Sequence, residues 1–473
     1  MLQVSETYSV KHLSNGAGRI YIKNSSQLRR VGYVSGAAFD VLDYRDGFKL
    51  ELKPDGERAV MNTSRGELIE LRNKTVGTKL KGVERVTVTF SEGVLLITIP
   101  INEAKRIARE LSAKKALDNG TPLRKASLCS GLGMTAYHLA RGMQEQGIEV
   151  EMAYSVDNDK LAVALQVEGN PIWENKTDDA QAFAMDMRQV PLSTLNPVHI
   201  VEVGYPCVGQ STLCPPDKRD LDHPIAGTLF CSLISMLVQL NPVLVVIENT
   251  PLFISSQTLS IMSRELKEYG YRVESTKISG YENGDFEIRE RACVTIISDG
   301  LPPLRPGLFQ APMSVERQCF NDIREDVPLD SWRWSKMEHV TKKQHNPKLN
   351  FKHNLLFGDE DQVATLTANY ASPRISSAMV AHPEYAENGL QRLITPLEHS
   401  RIREVPKSLW KVLADVISGK HPLVSSRGNS THVQRMLGNG PSPRAWFNFG
   451  GFLGKYFNSI RDNVTHLTVE QVA

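Results

Sequence analysis

The sequence predicts an α/β protein, a mostly parallel sheet covered by helices and preceded by a separate β-rich unit. Three observations predict it. Short apolar strand candidates recur at residues 126–129, 152–156, 199–203, 243–247 and 293–297. Amphipathic stretches such as 135–146 and Leu229–Leu240 lie between them, and this alternation builds parallel sheets buried on both faces. The chain, at 473 residues, also exceeds what one domain of about 150 residues would use.

Taken in order, the first hundred residues read as short strands and turns. Asp46-Gly47 separates two alternating apolar runs, a hairpin signal. Glu92-Gly93 repeats it at an offset of 46 residues, matching Tyr44 with Phe90, Gly47 with Gly93, Phe48 with Val94 and Leu50 with Leu96. Two related β-units are therefore expected. Asn102 then caps a helix whose Ala104, Ile107, Ala108 and Leu111 share one face. Asn119-Gly120 and Pro122 stop it, so residues 1–101 form a β-rich accessory domain and 102–122 a helical linker.

Composition excludes several classes. Hydrophobic residues make up 41% and charged residues 23%, ordinary for a globular protein. With 55 Lys and Arg against 53 Asp and Glu the formal charge is +2, so a nucleic-acid surface must be a local patch. Six cysteines are too few for a disulfide framework, and none is spaced as a zinc ligand, so no metal is expected. The first residues lack a signal-peptide layout, and no apolar run approaches the roughly 20 residues of a membrane span. A cytoplasmic protein fits best.

Sheets of this kind place ligands at the carboxyl ends of their strands, and five segments lie at strand ends. Ser127-Leu128-Cys129-Ser130-Gly131-Leu132-Gly133-Met134 is a strand, a glycine turn and a helix start. Its glycines let the backbone approach a cofactor or simply make a tight turn. Tyr154-Ser155-Val156-Asp157-Asn158-Asp159 ends the next strand in acids able to hold a ribose or to cap the helix near Lys160. Cys207, in Gly204-Tyr205-Pro206-Cys207-Val208-Gly209-Gln210-Ser211, is either a nucleophile or a small buried hydrophobe. Val245-Val246-Ile247-Glu248-Asn249-Thr250-Pro251 delivers a carboxylate to the rim or merely begins a loop with a surface acid, and Glu287-Ile288-Arg289-Glu290-Arg291 puts two arginines on one side of a strand, to hold phosphate or a carbonyl or as a solvated strand end.

In this order the motifs resemble the DNA (cytosine-5)-methyltransferase family, and Arg392-Leu393-Ile394-Thr395-Pro396-Leu397-Glu398 and Leu437-Gly438-Asn439-Gly440 look like its C-terminal blocks. The resemblance covers roughly residues 123–460. It implies a Rossmann-like, S-adenosylmethionine-dependent fold, with the catalytic domain at 123–300, a target-recognition lobe at 301–390 and a segment from 391 to 473 returning to the catalytic domain. It further implies a Cys207 thiolate adding to cytosine C6, Glu248 at N3, and Arg291 with Arg289 at O2 and the flanking phosphate. The cofactor falls to Gly131, Gly133, Asp157 and Asn439, with Asp178 for the adenine and Asp179 nearly as good. Val208, Gln210, Thr250, Glu287 and Met134 depart from the family pattern.

Residues 331–353 hold six Lys and Arg against one acid, with three aromatics interleaved. Arg333, Lys336, Lys342 and Lys343 are the DNA-contacting candidates there, beside the plainer reading of a solvated lobe. Residues 28–52, with Gly32 and Gly36 ahead of a hairpin, faintly resemble the swapped-hairpin DNA-binding domains of bacterial transition-state regulators and antitoxins. Arg19, Lys23, Arg29 and Arg30 would then meet phosphate, the alternative being dimerisation. The expected partner is double-stranded DNA, with a restriction endonuclease or phage host DNA as further partners. The rival readings are a tRNA cytosine methyltransferase and a catalytically silent DNA-binding regulator.

Overall fold

The computed structural model describes residues 3–344, 354–374 and 377–462, apart from the side chains of 342–344. Contacts divide the chain into one unit of residues 1–111 and another of 112–464.

The first unit holds β1 (Val4–His12), β2 (Gly18–Ile22), α1 (Ser25–Arg30), β3 (Ala38–Tyr44) and β4 (Gly47–Leu52). It continues through β5 (Arg58–Ala59), β6 (Met61–Thr63), β7 (Gly66–Asn73), α2 (Lys74–Lys79), β8 (Arg85–Ser91) and β9 (Val94–Thr98). All pairings are antiparallel, in the order β5-β3-β4-β9-β8-β1-β2-β7-β6. Only Val60 separates β5 from β6, at opposite ends of that order, so the sheet closes into a barrel through one interrupted strand. Alternation turns Ile20, Leu50, Leu71, Val88 and Leu95 into its buried interior.

The repeat expected from the two hairpins extends to the preceding strands and helix. Asn24 caps α1 by accepting from Gln27 N, and Asn73 caps α2 by accepting from Val76 N. The hairpins are exchanged: β3 of the first copy pairs with β5 of the second, and β8 of the second with β1 of the first. Of the cations expected to meet phosphate, Arg29 is paired within the unit, its Nε lying 2.8 Å from both carboxylate oxygens of Glu67.

After α3 (Ile101–Asn119), the second unit builds its sheet from β10 (Leu123–Leu128), β11 (Val150–Asp157), β12 (Lys176–Ala184), β13 (Ile200–Gly204), β14 (Leu244–Asn249) and β15 (Tyr271–Ser279). The short β16 (Glu287–Ile288) precedes the last long strand, β17 (Glu290–Ser298). The order is β12-β11-β10-β13-β14-β17-β15, and β17 alone among these runs antiparallel. Residues 293–297 therefore do not extend the parallel run, because β17 follows β15 through a connection too short for a crossover. The expected strands omit β12 and β15, which flank the sheet and carry partly exposed polar residues.

Helices α4 (Met134–Gln144), α5 (Lys160–Gly169), α6 (Leu229–Leu240) and α7 (Gln257–Glu268) cover this sheet. Val245 and Ile247 pack in one core with Leu233 and Leu237 of α6. Leu244 and Val246 face the other core, with Leu139 and Met143 of α4.

A lobe follows, with α8 (Phe320–Ile323), α9 (Glu338–Gln344), β18 (Leu355–Leu356), β19 (Val363–Ala364), β20 (Met379–Ala381), α10 (Tyr385–Asn388) and β21 (Gln391–Leu393). It has its own core, which includes Phe320, Trp334, Leu366, Val380 and Ile394. The chain ends its described path in α11 (Pro396–Ile402), α12 (Lys407–Ser418), α13 (Ser430–Asn439) and α14 (Pro443–Asp462). α14 returns to α4 backbone against backbone: a Cβ on Gly142 would lie 1.9 Å from Phe447 O, and one on Gly450 2.3 Å from Leu139 O. Among the described residues no helix is long and apolar enough to cross a membrane.

Candidate active site

The chain winds from β10 to β11 and β12 on one side, then returns to β13 and β14 on the other. The carboxyl ends of β10 and β13 thus flank a switch point, where open α/β sheets bind ligands. The loops leaving these strands touch, since a Cβ on Gly204 would lie 2.7 Å from Cys129 O.

At β10 the turn runs through positive φ at Cys129 (52°), Gly131 (52°) and Gly133 (72°), the last capping α4. This left-handed backbone explains the glycines. Asp157 ties the turn down, accepting from Gly131 N at 2.7 Å and Asp159 N at 2.8 Å. Burial raises its pKa against those amides. Asp159, not Asp157, caps α5 through Ala162 N, and it holds His432 and Arg435 of α13 at 2.8 and 3.1 Å. Asn439 is exposed at the far end of that same helix. The structure does not bring Asp178 to this rim: β12 continues to Ala184, leaving Asp178 exposed near its beginning. Asp179 bonds Arg124, Tyr154 and Asn196 instead. The acid beyond the carboxyl end of β12 is Asp186, which adds to burial, Asp157 and Glu202 in raising the Cys129 thiol. Sequence reading missed it, although its place just past a strand was the available signal.

These residues fit a nucleoside cofactor. The space beside Gly131 is open, with nothing within 4 Å of where a Cβ would stand. Ser130 Oγ is buried without a hydrogen-bond partner.

At β13, Pro206 precedes a short turn that begins with Cys207, a residue exposed at the loop whose thiol is crowded by neighbouring atoms. Neighbouring β14 contributes Glu248, whose Oε1 lies 2.9 Å from Arg291 Nε on β17. Loss of water and the Glu248 carboxylate raise the Cys207 thiol, while Arg291 and then Arg289 oppose the rise. Burial and Arg289 lower Arg291 to about 10. The structure thus brings Cys207, Glu248 and Arg291 together.

Arg289 shares the site electrostatically but is buried among protein acceptors, at 3.4 Å from Glu287 Oε1, 3.4 Å from Leu366 O and 3.3 Å from Gly438 O. Glu287 in turn pairs with Arg403 and accepts from Leu366 N at 2.6 Å. The glutamate at this position has a buried cation to neutralise. Its neighbour Arg289, expected beside the substrate, is engaged by these protein acceptors, and it reaches Cys207 only through its charge.

Two further departures from the family pattern meet one another. Thr250 Oγ1 donates to Gln210 O at 2.5 Å, and Gln210 Nε2 donates to Asp220 Oδ1 at 3.1 Å. Asp220 also accepts from Gln257 N and Thr258 N at the start of α7. Asn249 Nδ2 reaches Tyr205 O at 3.1 Å. These bonds fasten the Cys207 loop to β14 and α7, and no single motif announced them.

In the lobe, Arg333 and Lys336 are exposed, and Arg333 lies 5.2 Å over the ring of Trp332, itself exposed. Trp334 belongs to the core. Lys342 and Lys343 fall in α9 with side chains outside the described residues, as are all of residues 345–353. The Arg392–Glu398 pair is architectural, bidentate at 2.7 Å and buried.

A family model described as C-5 cytosine-specific DNA methylase matches residues 123–434. No curated protein sequence matches the chain. The Dnmt2 methyltransferase of S. pombe is similar in structure, with TM-score 0.53 and 16% identity over 72% of this chain and 99% of that one. A methyltransferase of Entamoeba histolytica gives TM-score 0.50 and 16% identity over 72% and 100%. A Dnmt2 mutant of Spodoptera frugiperda gives TM-score 0.50 and 17% identity over 71% and 99%. At these identities the structures establish the fold alone, whereas the family match spans well over half the chain. The protein belongs to the C-5 cytosine-specific DNA methylase family, whose members use S-adenosylmethionine.

Proposed function

We propose that this protein transfers a methyl group from S-adenosylmethionine to C5 of cytosine in double-stranded DNA. The observation that carries the reading is the meeting of Cys207, Glu248 and Arg291 beside the glycine turn of β10. Cytosine C5 is too weak a nucleophile to react unaided. The Cys207 thiolate adds to C6 and turns C5 into an enamine-like carbon. Glu248 hydrogen-bonds or protonates N3, and Arg291 steadies the O2 carbonyl. When bound, S-adenosylmethionine would supply the electrophilic methyl group, the C5–CH3 bond forming as the S–CH3 bond breaks and S-adenosylhomocysteine leaves. Gly131, Gly133 and Asp157 hold the cofactor, with Asp186 in place of Asp178 on the adenine side and Asn439 on the neighbouring helix. Loss of the C5 proton and departure of Cys207 restore the aromatic ring. The target base must leave the duplex to reach these groups, and Arg333, Lys336, Lys342 and Lys343 anchor the DNA around it.

The test is mass spectrometry of nucleosides from DNA and from tRNA of a methylation-free host expressing wild type or Cys207→Ala. 5-Methylcytosine is expected in DNA, with wild type only. Unmodified DNA beside folded, abundant protein overturns the reading, and modified tRNA moves the substrate to RNA.

A further inference from the structure

The two units carry different charge. Residues 1–111 hold 18 Lys and Arg against 13 Asp and Glu, whereas the rest of the chain holds 37 against 40. Within the first unit the cations are handled in two ways. Arg29, Lys49, Lys53 and Lys79 each pair with a carboxylate, on Glu67, Glu51, Asp40 and Asp43. On the outer face of β1, β2 and β7 they do not.

Lys11 stands directly opposite Arg19 across β1 and β2, and Arg19 directly opposite Arg72 across β2 and β7. Three cations therefore form one row across three adjacent strands. The neighbouring residues Val10, Ile20 and Leu71 point into the barrel, so the row points outward. Like charges placed opposite each other weaken a sheet, and no ion pair relieves this row among the described residues. Arg19 stacks 4.7 Å over the Tyr21 ring, and its Nε has no acceptor. Exposed Lys23 and Arg85 extend the face, and Glu70, opposite Tyr21, is the acid among them.

We propose that this row binds the phosphate backbone of duplex DNA, giving the protein a second, sequence-independent grip outside its catalytic unit. Phosphates are the anions whose regular spacing suits a straight row of cations that carries no base-reading groups. The duplex is taken from the proposed function, but the test reads binding and not turnover, so its failure leaves the methyl-transfer reading standing.

The experiment measures affinity of the full chain for a duplex of arbitrary sequence, and for tRNA, by fluorescence anisotropy over a salt series. Replacing Lys11, Arg19 and Arg72 together by Ser is expected to weaken duplex binding at least about ten-fold, and to reduce the slope of log affinity against log salt by about 2 to 3. Replacing the paired Lys49, Lys53 and Lys79 by Ser removes the same charge from the same unit, and should change affinity less than about two-fold. Lys11→Ser alone, at an exposed position, should lower the slope by about 1 and serves if the triple variant fails to fold. Equal losses for both triple variants, an unchanged slope, or a loss seen with tRNA but not with duplex overturns the proposal.

Discussion

Two carboxylate–arginine clusters descend from neighbouring residues of the chain and do opposite work. Glu248 and Arg291, each 13% exposed, meet at 2.9 Å beside Cys207. Glu287, Arg289 and Arg403, none above 4% exposed, hold one another and the carbonyls of Leu366, Gly438 and Leu437. Arg289 and Arg291 share one side of their segment, yet the lobe and α13 occupy the first and leave the second beside Glu248 and Cys207. The difference teaches that spacing places a cation, whereas its partners decide whether it can serve a substrate.

The sharpest way to break this comparison is Glu287→Ala. It strands two buried guanidinium groups and is expected to cost about 3–5 kcal/mol of stability in urea unfolding. Glu287→Gln, which keeps the acceptor for Leu366 N, should lose less. Arg291→Met should do the reverse, lowering kcat about 10²- to 10³-fold while costing less stability than Glu287→Ala, because it strands one carboxylate that keeps some exposure. The pH profile adds a signature. The Cys207 thiol is raised, so the rate should climb with pH as the thiolate forms. Arg291 holds that thiol down, so its loss should move the climb to higher pH. Equal unfolding of both variants would erase the distinction. Thr250→Val is the smallest step: it removes the hydroxyl donated to Gln210 O, about 1 kcal/mol, and should lower kcat a few-fold with little change in melting temperature.

Legibility in the sequence differed residue by residue. Cys207, Glu248 and Gly131 were readable because each follows an apolar strand that declares itself by composition. Asp178 misled because β12 is polar and partly exposed, so nothing in its composition marked where the strand ends, and the acid past that end is Asp186. Thr250 and Gln210 looked like unrelated departures from a pattern. Their bond spans 40 residues, and only the meeting of two strand ends reveals it. In the first unit the two hairpins were legible through Asp46-Gly47 and Glu92-Gly93, but the exchange of hairpins between copies was not.

Burial and turn chemistry are local, so composition and pattern along the chain suffice to say which segments become strands and helices and which residue types stand at the strand ends. Which of those ends adjoin, which arginine is sequestered, and that Lys11, Arg19 and Arg72 form one row follow from the folded sheets. Strand order and register bring together residues far apart in the chain, and such pairings depend on the whole sheet.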